Sequence, residues 1–192
     1  TSIYRTSRGL GGVCDIAKEA AKAEAYSYIF GQLKIIFAEP NLTQESYKIW
    51  FEDTCKELTK RFNNKINTSC AEKTTRYLTL GHAQKWISMA MKYFYCLDLV
   101  DFNYDYCYCP IDNIIKERAL EIQSESGKPE TLCGLVEAPS WSKIEQIEDL
   151  RNIYSDIDAI IDQNNLNCTQ LEFDVLNWQY HQTVLPNNIG DE

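Results

Sequence analysis

Nowhere in the 192 residues does an apolar run approach the roughly 18 residues that a membrane-crossing helix needs, so no membrane span is expected. Bases are scarce as well. Nineteen Lys and Arg stand against 28 Asp and Glu, and the net charge of −9 argues against loose, whole-surface adhesion to nucleic acid or anionic lipid. No internal repeat, low-complexity tract or linker interrupts the chain, and no signal-peptide pattern is visible; a cytoplasmic protein is expected from the cysteines, which read as reduced. Paired strands are missing too. Gly134-Leu-Val-Glu-Ala138 has the composition of a short strand, but no partner for it is evident.

What is present belongs to a globular protein. Hydrophobic residues make up 44% of the chain and aromatics 12%, enough for a sizeable core. Apolar residues recur at helical spacing, so the expected fold is all-α, a single compact domain over residues 1–192 with about seven helices. Residues 1–12 read as a glycine-punctuated entry, 124–140 as a long loop and 186–192 as a polar tail. An alanine-rich helix is expected from Cys14 to Ala38. Asn41 with Gln44 resembles a capping pair for a second helix that Asn63-Asn64 ends, and Ser69 with Glu72 resembles another, for a helix reaching about Leu78. The next runs from about His82 to Leu97, with Lys85 and Lys92 opposite its apolar arc. Pro110 suits the first position of the helix after it. Ser142 with Glu145 and Thr169 with Glu172 mark the last two starts, and the four Trp read as core anchors.

The eight cysteines fall mostly inside amphipathic runs, and a chain of this length folds without staples, so reduced thiols are expected. Three Asn-x-Ser/Thr triplets, at Asn41, Asn67 and Asn167, read as background. Cys107 and Cys109, with Cys96, Cys133, His82 or His181, would be the residues of a zinc site. Cys-x-Cys is not a usual zinc spacing and no second pair follows, so no metal or other cofactor is expected. A Cys nucleophile served by His82 or His181 has nothing to fix its geometry. Alternating Phe102, Tyr104, Tyr106 and Tyr108 would put their rings on one side of an extended segment, as base-stacking platforms do; rings lining a core are the commoner explanation.

Charge is unevenly spread. Between Glu72 and Asp98 lie Lys73, Arg76, Lys85 and Lys92 with no acid. From Ile144 onward ten acids accompany one base, Arg151. A basic patch on an acidic body follows, and within it one pairing has a chemical use. A desolvated lysine can attack a sugar carbon as its base leaves, forming a Schiff base, while a carboxylate stabilises the cationic sugar or handles protons. Lys85, near a helix start, and Asp112, after the Pro110-Ile111 corner, are such a pair. Gly81…Lys85…Met91-Lys-Tyr-Phe-Tyr-Cys96…Cys109-Pro-Ile-Asp112 resembles the central part of the helix-hairpin-helix DNA glycosylases, over residues 78–115. That resemblance implies an all-α enzyme without a cofactor that flips a damaged base into a cleft. It implies Lys85 as nucleophile and Asp112 as its carboxylate, with damaged or single-stranded DNA held by Lys73, Arg76, Gly81, His82, Gln84 and Lys92. The usual hairpin carries Pro and two close Gly before its lysine, whereas here only Gly81 stands there, followed by His82, Ala83 and Gln84.

The alternative from the same residues is a non-catalytic helical interaction module. Lys85 and Lys92 are then the solvated face of a helix and Asp112 a first-turn carboxylate favoured by the helix dipole. The acidic C-terminal helices face a basic protein partner, with 124–140 as a contact element.

Overall fold

The computed structural model describes residues 15–69, 77–127 and 132–184, except for the side chains of Cys133 and of 179–184. Among these residues there are seven α-helices and no strand, an all-α single domain. The helices are α1 (Asp15–Phe37), α2 (Gln44–Ser69), α3 (Leu80–Cys96), α4 (Asn113–Ser126), α5 (Cys133–Glu137), α6 (Ile147–Gln163) and α7 (Gln170–Val184). Single 3₁₀ turns stand at Tyr104–Tyr106 and Trp141–Lys143. None of the described helices is long and apolar enough to cross a membrane.

The alanines of α1 have a structural use. Ala17, Ala21, Ala25, Ile29 and Leu33 recur every four residues and are buried against α2, and small side chains let two helices approach closely. The short 38–43 connection turns the pair antiparallel, with Arg61 of α2 donating to Glu24 (3.2 Å) and covering the Tyr28 ring. One core joins this hairpin to everything else. Tyr47, Phe51, Leu58 and Phe62 of α2 meet Trp86, Ile87 and Met91 of α3 and Leu150, Ile153, Tyr154 and Ile157 of α6. Of the tryptophans, Trp86 is a core residue, Trp50 and Trp141 pack half-buried against the core, and Trp178 is 42% exposed and no core anchor.

Several boundaries differ from the sequence expectation, each for a local reason. Thr43, not Asn41, caps α2: its hydroxyl accepts from Ser46 N (3.1 Å) and its own N–H donates to the Ser46 hydroxyl (2.9 Å). Asn63-Asn64 does not end α2, which continues to Ser69. The Asn63 amide turns outward from the helix, accepting from Leu78 N (2.7 Å) and donating to Leu78 O (2.9 Å), much as a neighbouring strand would. The Ser69–Glu72 cap falls mainly outside the described residues, as do the 1–12 entry, the 186–192 tail, Lys73 and Arg76.

Pro110 does not open α4, because Asp112 is its N-cap, accepting from Ile115 N at 3.1 Å. Of the expected 124–140 loop, the described residues are helical at 124–126 and 133–137. α4 runs on to Ser126 and ends at Gly127 in the left-handed region (φ 63°), and the strand-like 134–138 stretch lies mostly in α5. Ser142 sits in the 3₁₀ turn and α6 starts later, at Ile147. Thr169 and Glu172 do form the expected box, through Thr169 N to Glu172 Oε2 (2.8 Å) and Glu172 N to Thr169 Oγ1 (3.2 Å).

Candidate functional site

The start of α3 is fixed from two directions. Thr79 caps it, with His82 N donating to the Thr79 hydroxyl (3.3 Å) and Thr79 N–H donating to His82 Nδ1 (3.4 Å). The 141–144 segment then closes over it. Gly81 N–H donates to Ile144 O (3.1 Å), and a Cβ on Gly81 would stand 1.6 Å from Trp141 O. Only glycine admits that approach, and the amide it presents is bonded inside the molecule. His82 meets the Trp141 ring edge-on at 5.3 Å, and burial lowers its pKa to about 4, with the nearby Lys85 ammonium acting the same way.

Gln84 is fully buried. Its amide donates to Ile111 O (2.9 Å) and accepts from Ile111 N (3.1 Å) and from the Tyr154 hydroxyl (3.0 Å). It therefore grips the backbone of the Pro110–Asp112 corner and sets Asp112 one residue beyond. From there Asp112 accepts from Lys85 Nζ at 2.9 Å, a bridge 27 residues long in sequence between side chains each 16% exposed. The ammonium also lies 4.6 Å over the Trp141 ring.

Two turns along α3, about 10 Å further, the pattern repeats. Lys92 Nζ lies 2.6 Å from Asp174 of α7 and 5.3 Å over the Trp178 ring. Burial pushes the Asp174 carboxyl up to about 6, against the opposing pull of Lys92 and with a further upward push from Asp112. Of the expected site residues, then, Lys85 and Asp112 come together. Lys92 joins a second pair, Gln84 and Gly81 are engaged in the interior, and Lys73 and Arg76 lie outside the described residues. Lys85 and Lys92 are each matched by a carboxylate, so this face of α3 carries no uncompensated basic patch.

Three of the described thiols are placed for packing. Cys55, Cys107 and Cys109 are buried free cysteines, and burial pushes all three upward, Cys107 to about 12. Among the described residues no group of His, Cys, Asp and Glu could hold a metal ion. Phe102 and Tyr104 meet edge-on at 5.0 Å and, with Tyr106 and Tyr108, pack against the core.

A cleft that sequence patterning did not single out opens between α2 and α6, with a volume of about 460 Å³. Aromatic residues pave it. Tyr108 stacks on Tyr154 (4.1 Å between ring centres, 13° between planes), and Phe51 meets Tyr108 edge-on at 5.0 Å. Its rim carries three acids, Glu45, Glu52 and Asp158, and two bases, Lys48 and Arg151. One acid and one base are already joined, since Arg151 forks onto both oxygens of Glu52, with Nε 2.6 Å from Oε1. The forked hydrogen bonds hold the Glu52 carboxyl below its usual range. The one sequence signal that points here is Arg151 itself, the lone base among ten acids in the C-terminal third.

No protein-family model, curated protein or solved structure matches the chain.

Proposed function

We propose that the protein is a non-catalytic helical interaction module that takes a basic segment of a partner protein into the cleft between α2 and α6. The observation that carries this reading is the combination of an aromatic floor with an acidic surplus at the rim. Once Glu52 and Arg151 have cancelled, Glu45 and Asp158 outnumber Lys48. A Lys or Arg side chain laid over Tyr108 would gain cation–π contact, bury its aliphatic stem and keep its charge near carboxylates. The net charge of −9 would speed the encounter with a basic partner. Fluorescence anisotropy with labelled Lys/Arg-rich and Asp/Glu-rich peptides tests the reading. The basic peptide should bind, more weakly as salt rises, and Tyr108→Leu should weaken it. Equal binding of both peptides would defeat it.

The convergence of Lys85 and Asp112 favours a second reading, a base-excision glycosylase/lyase. In it the amine of Lys85 bonds to the sugar C1′ as the damaged base departs, giving a Schiff base, and Asp112 balances the charge on the sugar. The lysine lone pair is freed only when the ammonium passes a proton to Asp112; the departing base then takes a proton from the attacking nitrogen, and the C1′–O4′ bond opens, its oxygen taking the proton from Asp112, to give the Schiff base. Borohydride on DNA carrying abasic or oxidised sites should then leave a protein–DNA adduct that Lys85→Gln abolishes. Absence of an adduct across such substrates removes this reading and leaves the first untouched.

A further inference from the structure

α1 carries two stripes where a peripheral helix needs one. The inner stripe, from Ala17 to Ile36, is buried on α2. On the other side Ile16 is 80% exposed, Tyr26 48% and Phe30 56%, and Glu19, Ala23, Ser27, Gly31 and Lys34 are exposed along the same side. Ile16, Glu19, Ala23, Tyr26 and Phe30 follow one another at steps of three, four, three and four, the spacing of a seam between two helices. A helix apolar on both sides is ordinarily covered on both. Gly31 adds a separate clue. A glycine inside a helix is unfavourable, and nothing lies within 4 Å of where its Cβ would stand, so no contact within the molecule requires it to be small. A second helix passing close by would.

We infer that this stripe is covered by α1 of a second copy of the chain, packed antiparallel about a two-fold axis between Tyr26 and Ser27. The stripe is complementary to itself in that orientation. Phe30 falls opposite Ala23, the Tyr26 ring falls over Ser27, and Glu19, which within its own helix accepts from Lys22 Nζ at 2.7 Å, falls opposite Lys34, whose ammonium sits 4.5 Å over its own Phe30 ring. A parallel pair would instead set Phe30 on Phe30, Glu19 on Glu19 and Lys34 on Lys34. An isologous contact of this kind closes on itself and stops at two copies. It uses a face of α1 remote in sequence from the α2–α6 cleft and does not depend on the cleft being a binding site.

Sedimentation equilibrium on the full chain tests this, with far-UV circular dichroism to verify folding. Wild type should be dimeric at tens of micromolar, and Phe30→Glu should weaken association at least tenfold while leaving the helical spectrum intact. Glu19→Lys and Lys34→Glu should each weaken it, and the two together should restore it. In a Cys96→Ser background, Ser27→Cys should cross-link to itself under a short bis-maleimide, mapped by mass spectrometry. Ile16→Cys should not, since its two copies would lie about 30 Å apart. A monomeric wild type overturns the inference and leaves the face to another protein. So does a dimer that persists in Phe30→Glu. Self-cross-linking at both positions overturns the antiparallel arrangement.

Discussion

The lysine face of α3 and the cleft between α2 and α6 are made of the same materials, aromatic rings with cations and carboxylates around them, yet they are finished differently. On α3 each ammonium has its carboxylate and its tryptophan: Lys85 with Asp112 and Trp141, Lys92 with Asp174 and Trp178. In the cleft one pair, Glu52 with Arg151, is closed and Asp158 holds the Gln170 amide (2.7 Å), while the half-buried Tyr108 ring, stacked on buried Tyr154, lines the hollow beside Glu45. Charges that satisfy one another hold helices together, whereas those left facing an open, ring-lined hollow are available to something else. Substitutions on α3 should therefore be read in stability, and those in the cleft in binding.

The largest loss should come from Gly81→Ala. The new methyl would have to displace the Trp141 carbonyl, which lies on backbone rather than on a yielding side chain, at a cost of about 4 kcal/mol. Gly31→Ala, in open space on α1, should instead stabilise the monomer by about 0.5–1 kcal/mol. Urea melts of the two variants side by side check both signs. Asp112→Ala should come next, at about 3 kcal/mol, because it strands the Lys85 ammonium and removes the cap of α4 together. A Lys85→Met, Asp112→Asn double variant, which keeps a capping side chain and leaves no charge alone, should recover most of that loss.

Acid acts in opposite directions on His82, beside Lys85, and on Asp174, beside Lys92. The folded pKa of His82, about 4, lies below the ordinary 6.5, so its contribution is whole above pH 6.5 and fades as pH falls toward 4, by about 3 kcal/mol. Asp174 acts oppositely. Its folded pKa of about 6 lies above the ordinary 3.8, so its contribution is whole below pH 3.8 and is lost as pH rises through 6, again by about 3 kcal/mol. In the wild type the two nearly cancel between pH 4 and 6. Asp174→Asn should uncover the histidine, so that the variant loses about 3 kcal/mol more than wild type when taken from pH 6.5 to 4. Parallel pH-dependent melts of wild type and variant give the difference directly, with all other titrations common to both.

The long helices were legible because their apolar stripes are long, whereas the five-residue α5 stands where a loop or short strand was expected. The α1 stripe and the apolar arc of α3 each span several turns, and no loop chemistry overrides them. Helix ends were less legible. Asn63 looks like a stop until its amide finds the Leu78 backbone, a partner 15 residues away that no local pattern announces. The meeting of Lys85 and Asp112 was readable as a pairing of types, but its cause was not. It depends on Gln84 holding Ile111, and glutamine at that spacing carries no signal of burial. The cleft was least visible, since its floor takes Phe51 from α2, Tyr108 from irregular chain and Tyr154 from α6, each of which reads alone as ordinary core.

The smallest expected effect is also the one that separates the two regions most cleanly. Glu45→Lys changes an exposed residue at the cleft rim and should shift the melt by less than about 0.5 kcal/mol, whereas Asp158→Lys also removes the acceptor of the Gln170 amide (2.7 Å) and should cost about 1 kcal/mol. Each reverses a charge that a basic ligand would face, and together they should weaken the Lys/Arg-rich peptide about tenfold, or roughly 1.4 kcal/mol. Lys48→Glu, on the same rim, should strengthen it. The same reversals leave the Lys85–Asp112 pair as it is, so an adduct trapped on damaged DNA, if the second reading holds, should form as in the wild type. A rim charge reversal that alters trapping but not peptide binding would invert the comparison, making the α3 face the working surface and the cleft part of the scaffold.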